Sequence, residues 1–229
     1  MEINILKLSL NIESDINESD AEKIRGYLGS VFWDNPHVHH HKENGSLIYR
    51  YPRVQYKVID GSCVLIGFNE GLDIVKKIFD DLKYINLDGR WHCILSKSLE
   101  SYKSFFGLSL DQQSYYFLTP WLALNHKNYE KYMKSGSWLK RKKLLESIII
   151  GNLISMSKNL GYTVSAQVKA DINSAKEIRT YFKGTPVLGF LGTFSVNFEI
   201  PDYWGIGKSV SRGYGTIKRL YEKELKNAR

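Results

Sequence analysis

A chain of 229 residues, 43% of them hydrophobic, can bury one large core or two small ones. Its longest apolar run, Leu144 to Met156, is broken by Glu146, Gly151 and Asn152 and falls short of the roughly 20 residues that a membrane span needs. The formal net charge of +8 and the pI of about 9.2 give a positive field that favours phosphate-rich or otherwise acidic partners.

Residues Leu6, Leu8, Leu10 and Ile12 alternate with Lys7, Ser9 and Asn11, the pattern of a strand with one buried face. Ser19-Asp20-Ala21-Glu22 fits a capping box, and Ile24, Tyr27, Leu28, Val31 and Phe32 follow at helical spacing. Leu47 to Ile59 reads as strand interrupted at Pro52, and Cys63 to Phe68 as a second short strand. Leu72, Val75, Phe79 and Leu82 form the stripe of another helix, and Asp88-Gly89 precedes a fourth strand from Trp91 to Leu95. The order strand-helix-strand-strand-helix-strand predicts a ferredoxin-like (RRM-like) unit, with two helices over one face of a four-stranded sheet.

The second half repeats the plan. Tyr115 to Leu124 reads as strand, and a helical region runs from about Tyr129 to Leu160 with a break at Ser135-Gly136-Ser137. Val164, Ala166, Val168 and Ala170 alternate with polar residues, and Val187 to Ile200 is a longer strand-like stretch. The predicted class is therefore α+β, two tandem ferredoxin-like domains over residues 1–110 and 111–229, with the connection at Leu108 to Ser114. The charged tail from Lys218 to Arg229 has helical character. Cys63 and Cys93 lie in apolar stretches without CxxC spacing, the pattern of buried free thiols in a reducing compartment. Met1-Glu2-Ile3-Asn4 lacks the basic and apolar regions of a signal peptide. A cytoplasmic protein is expected.

Two segments carry possible chemistry. His37-Val38-His39-His40-His41-Lys42 holds four of the six histidines. In an extended backbone His39 and His41 share one face about 6.5 to 7 Å apart, and His40 points away. Two imidazoles titrating near neutral pH can supply the base that takes a ribose 2′ proton and the acid that protonates the departing 5′ oxygen. Lys42 and Arg50 are local cations for the phosphate oxyanions, and Tyr49 or Tyr51 can donate a hydrogen bond. The same spacing also suits a metal site or an inert solvated loop, although no companion Cys or carboxylate motif supplies further ligands.

The second segment runs from Pro201 to Gly215. Gly207-Lys208-Ser209 resembles the end of a P-loop, but that motif requires glycine where Asp202 stands, which argues against a nucleotide triphosphatase. Four glycines with Lys208, Ser209, Ser211 and Arg212 leave a loop whose backbone can approach phosphates closely. A tight strand connection is the plainer reading. Lys140-Arg141-Lys142-Lys143 is a basic run that suits an RNA backbone or a solvated helix face.

His39 to Lys42, Tyr51 to Lys57, Pro120 to Asn125 and Gly205 to Gly215, taken in that order, resemble the CRISPR-associated repeat endoribonucleases of the Cas six family, in its type I-B-like branch. That resemblance implies two tandem ferredoxin-like domains, a glycine-rich loop that helps hold RNA, and cleavage of precursor CRISPR RNA without metal or other cofactor. The products would be a 2′,3′-cyclic phosphate and a 5′-hydroxyl. The family's paired histidines fall on His39 and His41, and His40 stands where the family often has Asn. The candidate catalytic residues are thus His39, His40, His41 and Tyr51. The candidate RNA contacts are Lys42, Arg50, Lys57, Gly205, Gly207, Lys208, Ser209, Ser211, Arg212 and Gly213. Expected partners are CRISPR repeat RNA and an interference complex that receives the product, with monomer and homodimer both open. The alternative is a non-catalytic RNA-binding module of the same fold.

Overall fold

The computed structural model describes residues 1–32 and 51–221. The chain forms two compact units, one of Ile3–Ser104 with Ser211–Gly213, the other of Met1–Glu2, Phe105–Val210 and the chain from Tyr214.

The first unit contains β1 (Glu2–Ile12), α1 (Ala21–Phe32), β2 (Val54–Ile59), β3 (Ser62–Phe68), α2 (Gly71–Asp81), β4 (Tyr84–Leu87) and β5 (Arg90–Phe105). Its sheet has the order β2-β3-β1-β5-β4. Leu8, Leu10 and Ile12 of β1, Val54, Tyr56 and Val58 of β2, and Cys63 and Leu65 of β3 meet Ile24 and Leu28 of α1 and Val75 and Ile78 of α2 in one core. The ferredoxin-like plan is present with one addition. β5 lies beside β1, where the fourth strand was expected, and β4 is an extra edge strand paired to β5. Four residues are too few to show a period, so β4 leaves no pattern in the sequence. Its turn does: Asp88 and Gly89 both have positive φ, and Leu87 pairs with Arg90, the two-residue hairpin that Asp-Gly favours.

Two local features differ from the sequence pattern. The cap before α1 is Asn17, which accepts from the Ser19 backbone, while the Asp20 carboxylate accepts from the Asn17 backbone at 3.0 Å. The box therefore spans Asn17 to Asp20 rather than Ser19 to Glu22, and it closes a short 3-10 turn, Glu18–Asp20, that leads into the helix. β2 begins at Val54, after Pro52, because Pro offers no N–H to a ladder. The expected earlier part of that strand, Leu47 to Arg50, lies outside the described residues.

The second unit contains β6 (Gly107–Phe117), α3 (His126–Lys134), α4 (Trp138–Leu160), β7 (Ala170–Phe182), β8 (Thr185–Glu199) and β9 (Ile217–Arg219), with sheet order β7-β8-β6-β9. This is again the ferredoxin-like order, except that the second crossover is the segment Pro201–Thr216, with only a 3-10 turn at Val210–Arg212, where a helix would stand. Tyr115 stacks on Phe194 at 5.5 Å and Phe117 on Trp121 at 5.2 Å. Leu145, Ile149, Leu153, Met156 and Leu160 give α4 a buried stripe.

Ser137 caps α4 and Gly161 ends it in the left-handed region, so the break read at Ser135 to Ser137 separates α3 from α4. The strand boundaries differ from expectation for physical reasons. Leu108 to Ser114, read as a connection, belongs to β6. Its register against β8 shifts between Leu108 and Gln113, and the consecutive exposed residues Leu110, Asp111 and Gln112 hide the strand period. β6 ends at Phe117 rather than Leu124, ahead of Pro120. Val164 to Lys169 alternates but precedes β7, which begins at Ala170 in register with Val196. The Asn197 side chain accepts from the Lys169 backbone at 2.6 Å and donates to the Gln167 carbonyl at 3.0 Å, so a side chain occupies backbone groups that a ladder would use. Lys218 and Arg219, read as the start of a helical tail, lie in β9, and the tail beyond Tyr221 is outside the described residues. Cys63 is buried but Cys93 only half-buried.

Replacing Asn17 by Ala should lower the unfolding free energy by about 1 kcal/mol, the usual worth of a cap. Ser19→Ala should change it by only a few tenths. Urea denaturation of the two variants decides between the caps, and an equal loss at Ser19 would contradict this assignment.

Candidate nucleic-acid interface

His39, His40, His41, Lys42, Tyr49 and Arg50 lie outside the described residues. The point where the described chain resumes is firmly held. Tyr51 is buried, with its ring 5.9 Å from that of Phe68. The Phe68 backbone N–H donates to the Arg53 carbonyl at 3.1 Å, and the Arg53 guanidinium pairs with Glu70 at 3.2 Å.

Strand alternation then divides β2. Val54, Tyr56 and Val58 enter the helix-covered core, and Gln55 and Lys57 point the other way. That face is covered as well: both residues are 0% exposed, and Lys57 Nζ donates to Gln55 Oε1 at 3.0 Å. Lys57 was expected to touch RNA, but its ammonium does not reach the surface. Burial disfavours the charged form and pushes the Lys57 pKa down to about 7.

In the second unit the glycine-rich segment is tied to the stretch after β6 by backbone bonds. Gly215 N–H donates to the Pro120 carbonyl at 2.8 Å, Ile206 N–H to the Gly215 carbonyl at 2.9 Å, and Thr216 N–H to Thr119 Oγ1 at 2.9 Å. Gly205 is bridged to Thr216. Gly207 sits over the Trp121 indole with φ +92; a Cβ there would stand 2.6 Å from Nε1, closer than atoms tolerate. Lys208 is exposed along its chain yet donates to the Leu124 carbonyl at 2.6 Å, and burial of its ammonium lowers its pKa. Ser209 adopts φ +58. These residues form a stiff, pinned loop, so Pro120 to Asn125 and Gly205 to Gly215, far apart in sequence, belong together in space.

The tip, Ser211–Gly213, clusters with the first unit. Gly213 has φ +88, and a Cβ on it would stand 3.1 Å from both Ala21 Cβ and the Tyr56 carbonyl oxygen. The loop therefore passes closely between the first residue of α1 and the outer edge of β2, where glycine avoids the strain a side chain would bring. Arg212 Nε pairs with Glu22 at 3.0 Å. Arg25, three residues along α1, is half-buried, and its pKa is lowered by burial and by the Arg212 charge. Loop tip, helix start and strand edge thus bring the Arg25 and Arg212 guanidiniums and the Glu22 carboxylate to one region, among the described residues. Lys57, Arg212 and Gly213, separate in the sequence, meet in this region. The sequence gives no sign that Glu22, Arg25 and Tyr56 belong to this site. The helical spacing of Glu22 and Arg25 was visible, but the residue that makes them matter lies almost two hundred positions away.

Family models for the two halves match this chain: the Cas6b N-terminal domain over residues 1–104 and the Cas6b C-terminal domain over 107–220. The chain belongs to the Cas6b family. A crystal structure of Cas6b superposes with a TM-score of 0.86 at 36% identity, covering 96% of this chain and 100% of the other. A second, the CRISPR RNA processing endoribonuclease Cas6b, gives 0.77 at 33% over the same shares. An uncharacterized protein of Methanocaldococcus jannaschii is 38% identical over 146 residues, which is 64% of this chain and 99% of that protein. The resemblance drawn from four short motifs is therefore to the family that both domains match. Among the described residues no group of His, Cys, Asp and Glu could hold a metal ion, and no described helix is long and apolar enough to cross a membrane.

The buried Lys57 makes a prediction that separates its charge from its packing. Its amine titrates near pH 7 when folded, against an ordinary value of 10.5, so between those limits the unfolded chain binds more protons. Its contribution to stability therefore falls as pH drops from about 10.5 to 7. Lys57→Met should be more stable than the parent at pH 7, with the advantage shrinking toward pH 10. Thermal denaturation across that range measures it, and a variant destabilised at pH 7 would show that the ammonium is compensated inside the fold.

Proposed function

We propose that this chain is a metal-independent endoribonuclease that cuts precursor CRISPR RNA within its repeats. The observation that carries the reading is the match of both domains to Cas6b, including 33% identity along almost the whole chain to a Cas6b described as a CRISPR RNA processing endoribonuclease. The basic surface charge and the cations at the loop tip agree with an RNA substrate.

In the proposed reaction the substrate's own 2′-hydroxyl attacks the adjacent phosphorus. One of His39 and His41 takes the 2′ proton, and the other donates a proton to the departing 5′ oxygen. The bond formed is the new 2′ O–P bond and the bond broken is the 5′ O–P bond, which leaves a 2′,3′-cyclic phosphate and a 5′-hydroxyl. Lys42 and Arg50 stabilise the charge on the phosphoryl oxygens. His40 stands as a third participant, and Tyr51, anchored on Phe68, as a neighbouring hydrogen-bond donor. The domain of residues 1–110 carries this chemistry, and that of residues 111–229 supplies the loop from Gly205 to Gly213. Its backbone approaches phosphates, with Lys208, Ser209, Ser211 and Arg212 as donors. The product RNA is then available to a CRISPR interference complex.

Incubation with repeat RNA in excess chelator should yield a discrete cut with a cyclic phosphate end, read on a denaturing gel before and after treatment that opens the cyclic ester. His39→Ala/His41→Ala should abolish cutting, by at least about 100-fold for loss of acid–base catalysis, and leave repeat binding nearly intact. Cutting that appears only when metal is restored, or that survives the double substitution, would contradict the mechanism.

A further inference from the structure

The sheet of the first unit has one face under α1 and α2, and on its other face β4 and β5 leave large apolar side chains uncovered. Ile85 and Leu87 of β4 enter the core beneath the helices, and Ile94 of β5 packs against it. Side chains alternate along a strand, so Tyr84 and Asn86 of β4 and Trp91, Cys93 and Leu95 of β5 lie on the opposite side. Across the ladder Tyr84 stands opposite Cys93, and Asn86 opposite Trp91. Trp91 is 65% exposed, Leu95 60% and Tyr84 56%. The Trp91 ring is nonetheless held. It meets the Tyr27 ring of α1 at 90° with centroids 6.0 Å apart, and the Tyr27 hydroxyl donates to the Tyr84 carbonyl at 3.4 Å. The turn that joins the two strands is braced as well, because Lys23 of α1 pairs with Asp88 at 2.6 Å.

A fixed, exposed indole offers a flat apolar face at little ordering cost. The patch is too small for a protein partner. About three-fifths of each of these side chains is exposed, and aromatic side chains bury about 150 to 250 Å² when fully covered. Their sum stays well below the roughly 800 Å² that each partner of a stable interface gives up. It matches a nucleobase, which an RNA strand exposes wherever it is unpaired and which stacks on aromatic rings. The charges agree with this choice. Glu13 accepts from the Cys93 backbone N–H at 3.2 Å, so its carboxylate disfavours a phosphate over that part of β5 and favours a neutral base. Exposed cations, Lys83 before β4 and Arg90 after the turn, adjoin the patch and suit the phosphates on either side of such a base.

We propose that Trp91, with Tyr84 and Leu95 beside it, is a stacking platform for an unpaired base of the repeat RNA, on the open sheet face of the first unit. This rests on the RNA-processing reading above and extends it to a residue outside the histidine cluster and the glycine-rich loop. Trp91 binds the base, and Tyr27 is a positioning residue that sets the angle of the indole. The contact is one of area rather than charge, so it adds to affinity without adding to the salt dependence of binding.

The test is repeat-RNA binding in the His39→Ala/His41→Ala background, with Trp91 intact and as Trp91→Leu and Trp91→Tyr. Trp91→Leu should weaken binding roughly tenfold, the usual worth of one stacked base, and leave the slope of log affinity against log salt concentration unchanged. Trp91→Tyr should regain most of the loss. Melting temperature reports whether each variant folds, and Tyr84→Leu, with a smaller expected loss of affinity, replaces Trp91→Leu if that variant does not. Repeats with a single abasic nucleotide, moved along the sequence, locate the base. At one position the abasic RNA should bind the Trp91 protein roughly tenfold more weakly, and bind Trp91→Leu no more weakly than the intact repeat does. Unchanged affinity in Trp91→Leu, a changed salt slope, or the absence of any abasic position that couples to Trp91 would overturn the proposal. Self-association of the RNA-free chain that Trp91→Leu abolishes in sedimentation would also overturn it, by making the patch a contact between copies. Cleavage by the parent chain in excess chelator is scored in parallel. Coupling at one position without cutting means that the nuclease reading fails and the platform stands; cutting without coupling means that the platform alone fails.

Discussion

The seat of Gly213 is the constraint on which the rest of the arrangement depends. A left-handed φ and 3.1 Å approaches to Ala21 and the Tyr56 carbonyl together strain any side chain there, so a single residue governs how closely Ser211–Gly213 lies on α1 and β2. Once it does, Arg212 meets Glu22, Arg25 acquires a like-charged neighbour, and a basic corner exists that neither sequence segment would make alone. The ion pair is partly exposed and worth little by itself. The steric fit of the backbone, rather than the pair, is what fixes the corner.

The two units share a topology and depart from it in ways that bear on function. In the first, the edge of the sheet is extended by the β4–β5 hairpin, leaving β2 as the opposite edge. In the second, a helix of the ferredoxin-like plan is replaced by a loop. A helix would satisfy its own backbone; this loop instead uses carbonyls at Pro120, Leu122 and Leu124 and the Thr119 hydroxyl. That exchange makes the loop stiff, and a stiff loop can present backbone N–H groups and side chains without a large ordering cost on binding.

Much of the fold could be read from the sequence because its signals are local. The alternation of Leu8, Leu10 and Ile12, the stripes of α2 and α4, and the Asp88-Gly89 turn each report on a few neighbouring residues. The failures have a common physical origin in partners that are distant. Val164 to Ala170 carries a strand pattern, yet the ladder starts only at Ala170, because the Asn197 side chain takes the Lys169 N–H and the Gln167 carbonyl. Leu108 to Ser114 reads as a connection because a register shift in β6 breaks its pattern, with Leu110, Asp111 and Gln112 exposed. Lys57 reads as a surface cation, and only tertiary burial shows otherwise. The glycine-rich segment was recognisable as a phosphate-friendly loop, but its dependence on Trp121 and Ala21 was not, because those contacts cross the chain.

Buried or half-buried cations recur in this protein, with Lys57 enclosed beside Gln55 and Arg25 facing Arg212. Burial disfavours the charged form of each, and both lie where Gly213 meets β2 and α1. The most direct measurement is amide hydrogen exchange of Gly213→Val against the parent. Loss of the seat should accelerate exchange along β2 and the first turns of α1 while leaving α4 unchanged. Identical protection of β2 and α1 in the two proteins would show that Gly213 does not hold the corner, and the account built on it would fall.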